Sequence, residues 1–110
     1  MIHFTFYTDL FIPARFGGIT YGIFIFLRPK YKNDNGILQH ELTHVRQFYR
    51  NPLFGLWYQF SAKDRLKYEA EAYKVQLAYY TEDKKSLFAQ YLVNNYNLGI
   101  TYDQAIAALS

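Results

Sequence analysis

Two histidines four residues apart, His40 and His44, bracket a glutamate in the run His40-Glu41-Leu42-Thr43-His44. On an α-helix, residues i and i+4 stand one above the other on the same face, so two imidazoles at this spacing can converge on one metal ion. Zinc accepts imidazole nitrogen at about 2.0–2.1 Å, and the pattern H-E-x-x-H on a helix supplies two such ligands with a carboxylate beside them. Glu41, one residue past the first histidine, flanks the ion without having to bind it. Water held by zinc has a strongly depressed pKa. Glu41 is placed to take its proton as general base and to pass it to a leaving amine. The competing interpretation is structural: two histidines sharing a helix face by coincidence, with Glu41 paired to Arg46.

A catalytic zinc takes three protein ligands. The chain has no cysteine, so disulfides are excluded and the third ligand must be His, Asp or Glu. His3, the remaining histidine, precedes a strand and is far away in sequence. Better candidates lie in Tyr68-Glu69-Ala70-Glu71-Ala72-Tyr73, on a helix expected to pack antiparallel to the first, and the 24 residues between His44 and Glu69 leave room for the return. Glu69 and Glu71 project about 200° apart around a helix, so only one of them can face the ion. Without a metal, Glu69 would pair with Arg65, four residues earlier.

The elements that must position these groups can be read from periodicity and punctuation. Residues 2–12 are β-rich and form a first strand with a break near Asp9 and at Pro13; Gly17-Gly18 is a turn; residues 19–27 form a second strand that Arg28-Pro29 ends. After a polar loop, Asp34 or Asn35 caps the helix that carries both histidines, and it stops before Asn51-Pro52. Residues 53–60 are a short helix or packed loop. Ser61 or Asp64 caps a helix from about Arg65 to Tyr80, whose buried stripe is Leu66, Tyr73, Leu77 and Tyr80. Thr81-Glu82-Asp83 starts another, ending around Asn94 to Asn97 with Gly99 just beyond. Thr101 and Gln104 have the form of a capping box for a last helix to Leu109. The pattern is one α+β domain over residues 1–110: a small N-terminal sheet or hairpin, then a helical bundle carrying the metal helix.

Composition narrows the function classes. Hydrophobic residues at 51% against 19% charged exclude a disordered chain. With 12 Tyr and 10 Phe, rings are expected either to build the core in place of Leu and Ile or to form an aromatic binding face, and many keep a polar tip in water or on a partner. The formal net charge of +3 comes without a basic run interleaved with aromatics, so no nucleic-acid site is indicated and the basicity serves solubility. The longest apolar segment, Gly17 to Leu27, is too short for a transmembrane segment. With no secretory signal in view, the expected location is cytoplasmic.

H-E-x-x-H followed by a glutamate on a later helix resembles the gluzincin pattern of thermolysin-like peptidases and of the CAAX-prenyl-protease group. In the latter the third ligand opens an E-x-x-A-D run. Here the run is Glu69-Ala70-Glu71-Ala72-Tyr73, so the resemblance implies Glu69 as the ligand, leaves Glu71 facing solvent near Lys67 or Lys74, and puts Tyr73 where the family has an acid that hydrogen-bonds a zinc-bound imidazole. It covers residues 19–80 and implies a minimal zincin-like fold with one Zn²⁺ held by His40, His44 and Glu69. It also implies a peptide or protein substrate added to the strand before the metal helix, with Thr20, Tyr21 and Gly22 as contacts. An oxyanion would need a further donor, for which Arg65, Tyr68, Tyr73 and His3 are candidates. Two functions follow. One is a zinc metallopeptidase with Glu41 as general base; the other is a catalytically silent zinc-binding module for protein interaction. Oligomeric state has no signature in the sequence.

Overall fold

A computed structural model describes all residues, 1–110. Three short strands open the chain: β1 (Phe4–Tyr7), β2 (Gly18–Tyr21) and β3 (Phe24–Leu27). Five helices follow: α1 (Asn35–Arg50), α2 (Phe54–Phe60), α3 (Ala62–Leu77), α4 (Lys85–Asn95) and α5 (Tyr102–Ala108), with a 3₁₀ turn at Pro29–Tyr31 before α1. The architecture is α+β, a three-stranded sheet and then helices, and none of these helices is long and apolar enough to cross a membrane.

The sheet departs from the two long strands expected. Residues 2–12 contribute only Phe4–Tyr7, and residues 19–27 are a hairpin, not one strand. Tyr21 pairs with Phe24, so Gly22 and Ile23 form a two-residue turn, and Gly22 adopts a φ of +60°. Glycine reaches this left-handed region without steric cost, as the first position of a tight hairpin turn demands. β3 is central, antiparallel to β2 and parallel to β1, so β2 is an edge strand.

Helix boundaries follow local chemistry. Asp34 caps α1, its carboxylate accepting from the Ile37 backbone N–H at 3.2 Å and from the Tyr80 hydroxyl at 2.7 Å. Asn51 leaves the helix in an extended conformation, as a residue before proline must. Ser61 is extended as well and separates α2 from α3; its hydroxyl caps α3 by accepting from Asp64 N–H. The Thr101–Gln104 capping box is present with both of its reciprocal bonds.

Two apolar clusters form the core. Ile25 and Leu27 of β3 meet Leu42 and Val45 of α1. The larger cluster joins α3, α4 and α5 through Ala70, Tyr73, Phe88, Leu92, Tyr96 and Leu109, among others. Helix α1 therefore has two buried faces, one against the sheet and one against α3. The second carries the buried polar side chains His40, Thr43, His44 and Gln47. Buried polar groups on this scale require partners.

Candidate metal centre

The partner is Glu69. His40 and His44 project from successive turns of α1 toward α3, which presents Glu69 between them. His40 Nε2 lies 3.2 Å from Glu69 Oε1, and His44 Nε2 lies 3.3 Å from Glu69 Oε2. All three side chains are buried, and their potential ligand atoms lie within 4.8 Å of one another. Ligands about 2.0–2.1 Å from a tetrahedral ion stand about 3.3 Å apart, so the His–Glu separations suit one metal ion. No fourth His, Cys, Asp or Glu joins the group.

The hydrogen bonds behind the ligands supply an independent reason to see a metal site. Gln47, one turn beyond His44 and almost fully buried, has its amide orientation fixed. Its Nε2 donates to Tyr68 O at 3.0 Å and to Glu71 Oε1 at 2.7 Å. Its carbonyl Oε1 must therefore face His44 Nδ1, 2.7 Å away, and can only accept. His44 thus carries a proton on Nδ1 and directs Nε2 at Glu69. A metal-bound histidine is oriented in this way by a hydrogen bond at its far nitrogen. The support continues outward, because Glu71 accepts from both terminal nitrogens of Arg50, at 2.7 and 3.1 Å. The Arg50 hydrogen bonds, aided by Gln47, hold the Glu71 carboxyl below its ordinary range. Glu71 therefore does not stand free in solvent near Lys67 or Lys74; it faces α1 one turn beyond the site.

Tyr58, on α2, was not singled out by any spacing. Its hydroxyl donates to Glu69 Oε2 at 2.6 Å, and burial together with this carboxylate keeps the phenol protonated far above its ordinary range. Tyr73 lies against His40, ring centroids 4.4 Å apart and edge-on, but its hydroxyl passes the imidazole and bonds the Tyr96 hydroxyl at 2.6 Å. The phenol is longer than an aspartate, so it overshoots the imidazole it flanks, and His40 Nδ1 is left buried without a partner.

Without a metal, the ligands form a buried charge cluster. Burial opposes a charged His44, but the Glu69 carboxylate, helped by Glu41, outweighs it and lifts the imidazole to about 9. Burial likewise disfavours charge on Glu69, yet the imidazoles of His44 and His40 hold its carboxyl far below the ordinary range.

Glu41 is buried beside the triad, with Oε2 4.0 Å from His40 Nε2. Its Oε1 accepts from the Thr20 hydroxyl at 2.8 Å, so Arg46 is not its partner. Thr20 belongs to the edge strand β2, and this bond ties the strand to the metal helix. Tyr21 is half exposed on the opposite face of that strand, its hydroxyl reaching Phe11 O, and Gly22 is the hairpin turn. All three line a cleft of about 1060 Å³ that opens onto His40, Glu41, His44, Tyr58 and Glu69. Arg65 also lines the cleft, not as a partner of Glu69 but as a clasp. Its guanidinium donates to the carbonyls of Tyr58, Gln59, Tyr96 and Asn97, joining α2 to the loop after α4. Neither Tyr68 nor His3 lines it. No protein-family model matches the chain, and neither curated proteins nor solved structures give a match.

Proposed function

We propose that this chain is a zinc-dependent metallopeptidase of minimal zincin-like build, with His40, His44 and Glu69 holding one Zn²⁺ and Glu41 acting as general base. The observation that carries this reading is the placement of a buried, oriented carboxylate beside a three-ligand group at the floor of an open cleft. The ion, when bound, supplies Lewis-acid polarisation and an acidified water. The chain's own residues do the rest. Thr20 holds Glu41 by one oxygen and leaves the other toward the triad, where it can accept a proton and return it to the departing amine. Gln47 and Tyr58 fix the ligands. The free edge of β2 borders the cleft, and an extended peptide can hydrogen-bond there as an added strand. The Arg65 N–H groups are engaged by carbonyls, and the Tyr58 hydroxyl would serve as an oxyanion donor only by releasing Glu69.

A second reading, a zinc-stabilised binding module without turnover, is favoured by one observation: the unpartnered His40 Nδ1 weakens the support expected behind a catalytic ligand. Elemental analysis of purified wild type beside Glu69→Ala tests the metal. About one zinc per chain in the wild type and much less in the variant is expected; no zinc after reconstitution would remove the basis of both readings. Glu41→Gln separates them, because it keeps zinc and abolishes hydrolysis in a peptidase. Cleavage by that variant at the wild-type rate overturns the assignment of Glu41, and failure of the zinc-loaded wild type to cleave any peptide library favours the silent module.

A further inference from the structure

Besides its two histidines, the cleft is lined by four acidic or basic residues, Glu41, Glu69, Arg65 and Arg15, and three of them are already occupied. Glu69 belongs to the metal triad, Glu41 is held by Thr20, and Arg65 is engaged by backbone carbonyls. Arg15 differs. Its Nε donates to Asn95 O at 3.0 Å, and its guanidinium carbon sits 4.5 Å above the Phe16 ring. Those two contacts fix the plane of the group from behind and below. Neither terminal nitrogen has a hydrogen-bond acceptor, and no carboxylate lies within ion-pair distance, whereas Arg28 and Arg50 both have acidic partners. The side chain is exposed at the cleft wall, between Pro13 and Phe16 of the loop leading into β2.

An arginine held this way is a preorganised fork. Its two outer N–H donors match the two oxygens of a carboxylate, and little side-chain entropy remains to be lost when they engage. Elsewhere the cleft offers no free acid that would welcome a basic substrate. Resting on the peptidase reading, we propose that Arg15 is a specificity residue that selects peptides bearing a carboxylate. An acidic side chain and a free C-terminus present the same chemistry to it.

The test uses the full-length, zinc-loaded chain carrying Glu41→Gln, so that peptides bind without turnover. Fluorescence anisotropy is measured with labelled hexapeptides that differ only in Asp or Glu against Asn or Gln, each with a free or an amidated C-terminus. The expected result is affinity about tenfold higher for the carboxylate-bearing peptides, weakening with added salt. Arg15→Gln abolishes the preference, Arg15→Lys keeps part of it, and Arg15→Glu reverses it toward lysine-containing peptides. Melting temperature and zinc content of each variant identify loss of fold, and the lysine variant, which retains the charge, remains informative if the glutamine variant unfolds. Preference for acidic side chains in the amidated peptides assigns the carboxylate to a side chain; preference for the free acid over the amide, whatever the side chain, assigns it to the C-terminus. Equal binding of the carboxylate-bearing peptides and the amidated neutral peptide, or a carboxylate preference that persists in Arg15→Gln, overturns the role of Arg15 while leaving the peptidase reading intact. Absence of binding by every peptide overturns both.

Discussion

Gln47 determines how His44 can behave. With its amide N–H groups committed to Glu71 and Tyr68 O, the only function left facing His44 is a carbonyl, which selects the imidazole tautomer with Nε2 toward Glu69. Replacing it by Leu, similar in volume but unable to accept, is expected to weaken zinc binding about 10–100-fold in a chelator-competition titration. Zinc affinity in Gln47→Leu equal to that of the wild type would show that the Gln47 carbonyl does not orient His44 for the ion. Protonation of the metal-free site sets a second expectation. His44 is raised from 6.5 to about 9, so its contribution to stability is complete below 6.5 and is lost as pH rises toward 9. Glu69 is lowered from 4.5, so its contribution is present above 4.5 and is lost as pH falls through its folded value. From these two groups the metal-free chain is most stable between 4.5 and 6.5. Zinc must displace the His44 proton, so its affinity climbs with pH up to about 9. Thermal melts with zinc and with chelator, taken from pH 6 to 9, should therefore diverge as pH increases. Constant separation would show that His44 does not hold a proton in the metal-free state.

The helices were more legible than the sheet, for physical reasons. Capping is local chemistry, and Asp34, Ser61 and the Thr101–Gln104 pair all do what their side chains favour within three residues of themselves. Residues 19–27, by contrast, are apolar or aromatic apart from Thr20 and Gly22, and a lone glycine is a weak mark for a hairpin whose strands have similar composition. Gln47 shares a helix face with His44 at i+3, so its role was recoverable from spacing. Tyr58 was not, because it reaches Glu69 only through the sharp break at Ser61 that turns α2 against α3. Glu71 was misplaced because its partners, Gln47 and Arg50, lie on another helix. Asp34 joins two elements, capping the metal helix and receiving the Tyr80 hydroxyl from just beyond α3; Tyr80 is itself pushed up to about 12, chiefly by burial. Asp34→Ala removes the cap and the tie together and should cost about 1–2 kcal/mol in denaturant unfolding. Asp34→Ser restores the cap alone and should recover about half of it; full recovery would mean that the Tyr80 bond contributes nothing.

At the scale of the molecule, a chain without cysteine ties its loops with arginine. Arg28 donates to Phe16, Ile12 and Pro13 carbonyls and to Asp9, fixing the loop between β1 and β2. Arg65 joins α2 to the segment after α4, and Arg50 links α1 to α3. The formal charge of +3 therefore conceals cations that serve as architecture as much as solubility. These ties, with one apolar cluster between β3 and α1 and another among α3, α4 and α5, imply a fold that does not depend on the metal for its existence. The metal-free centre also has an internal substitute for the ion, since positively charged His44 and ionised Glu69 compensate each other in the buried space between α1 and α3. Chelation at pH 6 to 7 should therefore leave far-ultraviolet circular dichroism native at 25 °C while lowering the melting temperature. Re-addition of zinc at a free concentration a thousandfold above its Kd should restore about 4 kcal/mol. Glu69→Ala must abolish that gain, because it removes both a ligand and the carboxylate that balances His44. A chain that loses its helical signal on chelation alone would place the metal among the determinants of the fold, and the polar seam between α1 and α3 would then need the ion to hold it.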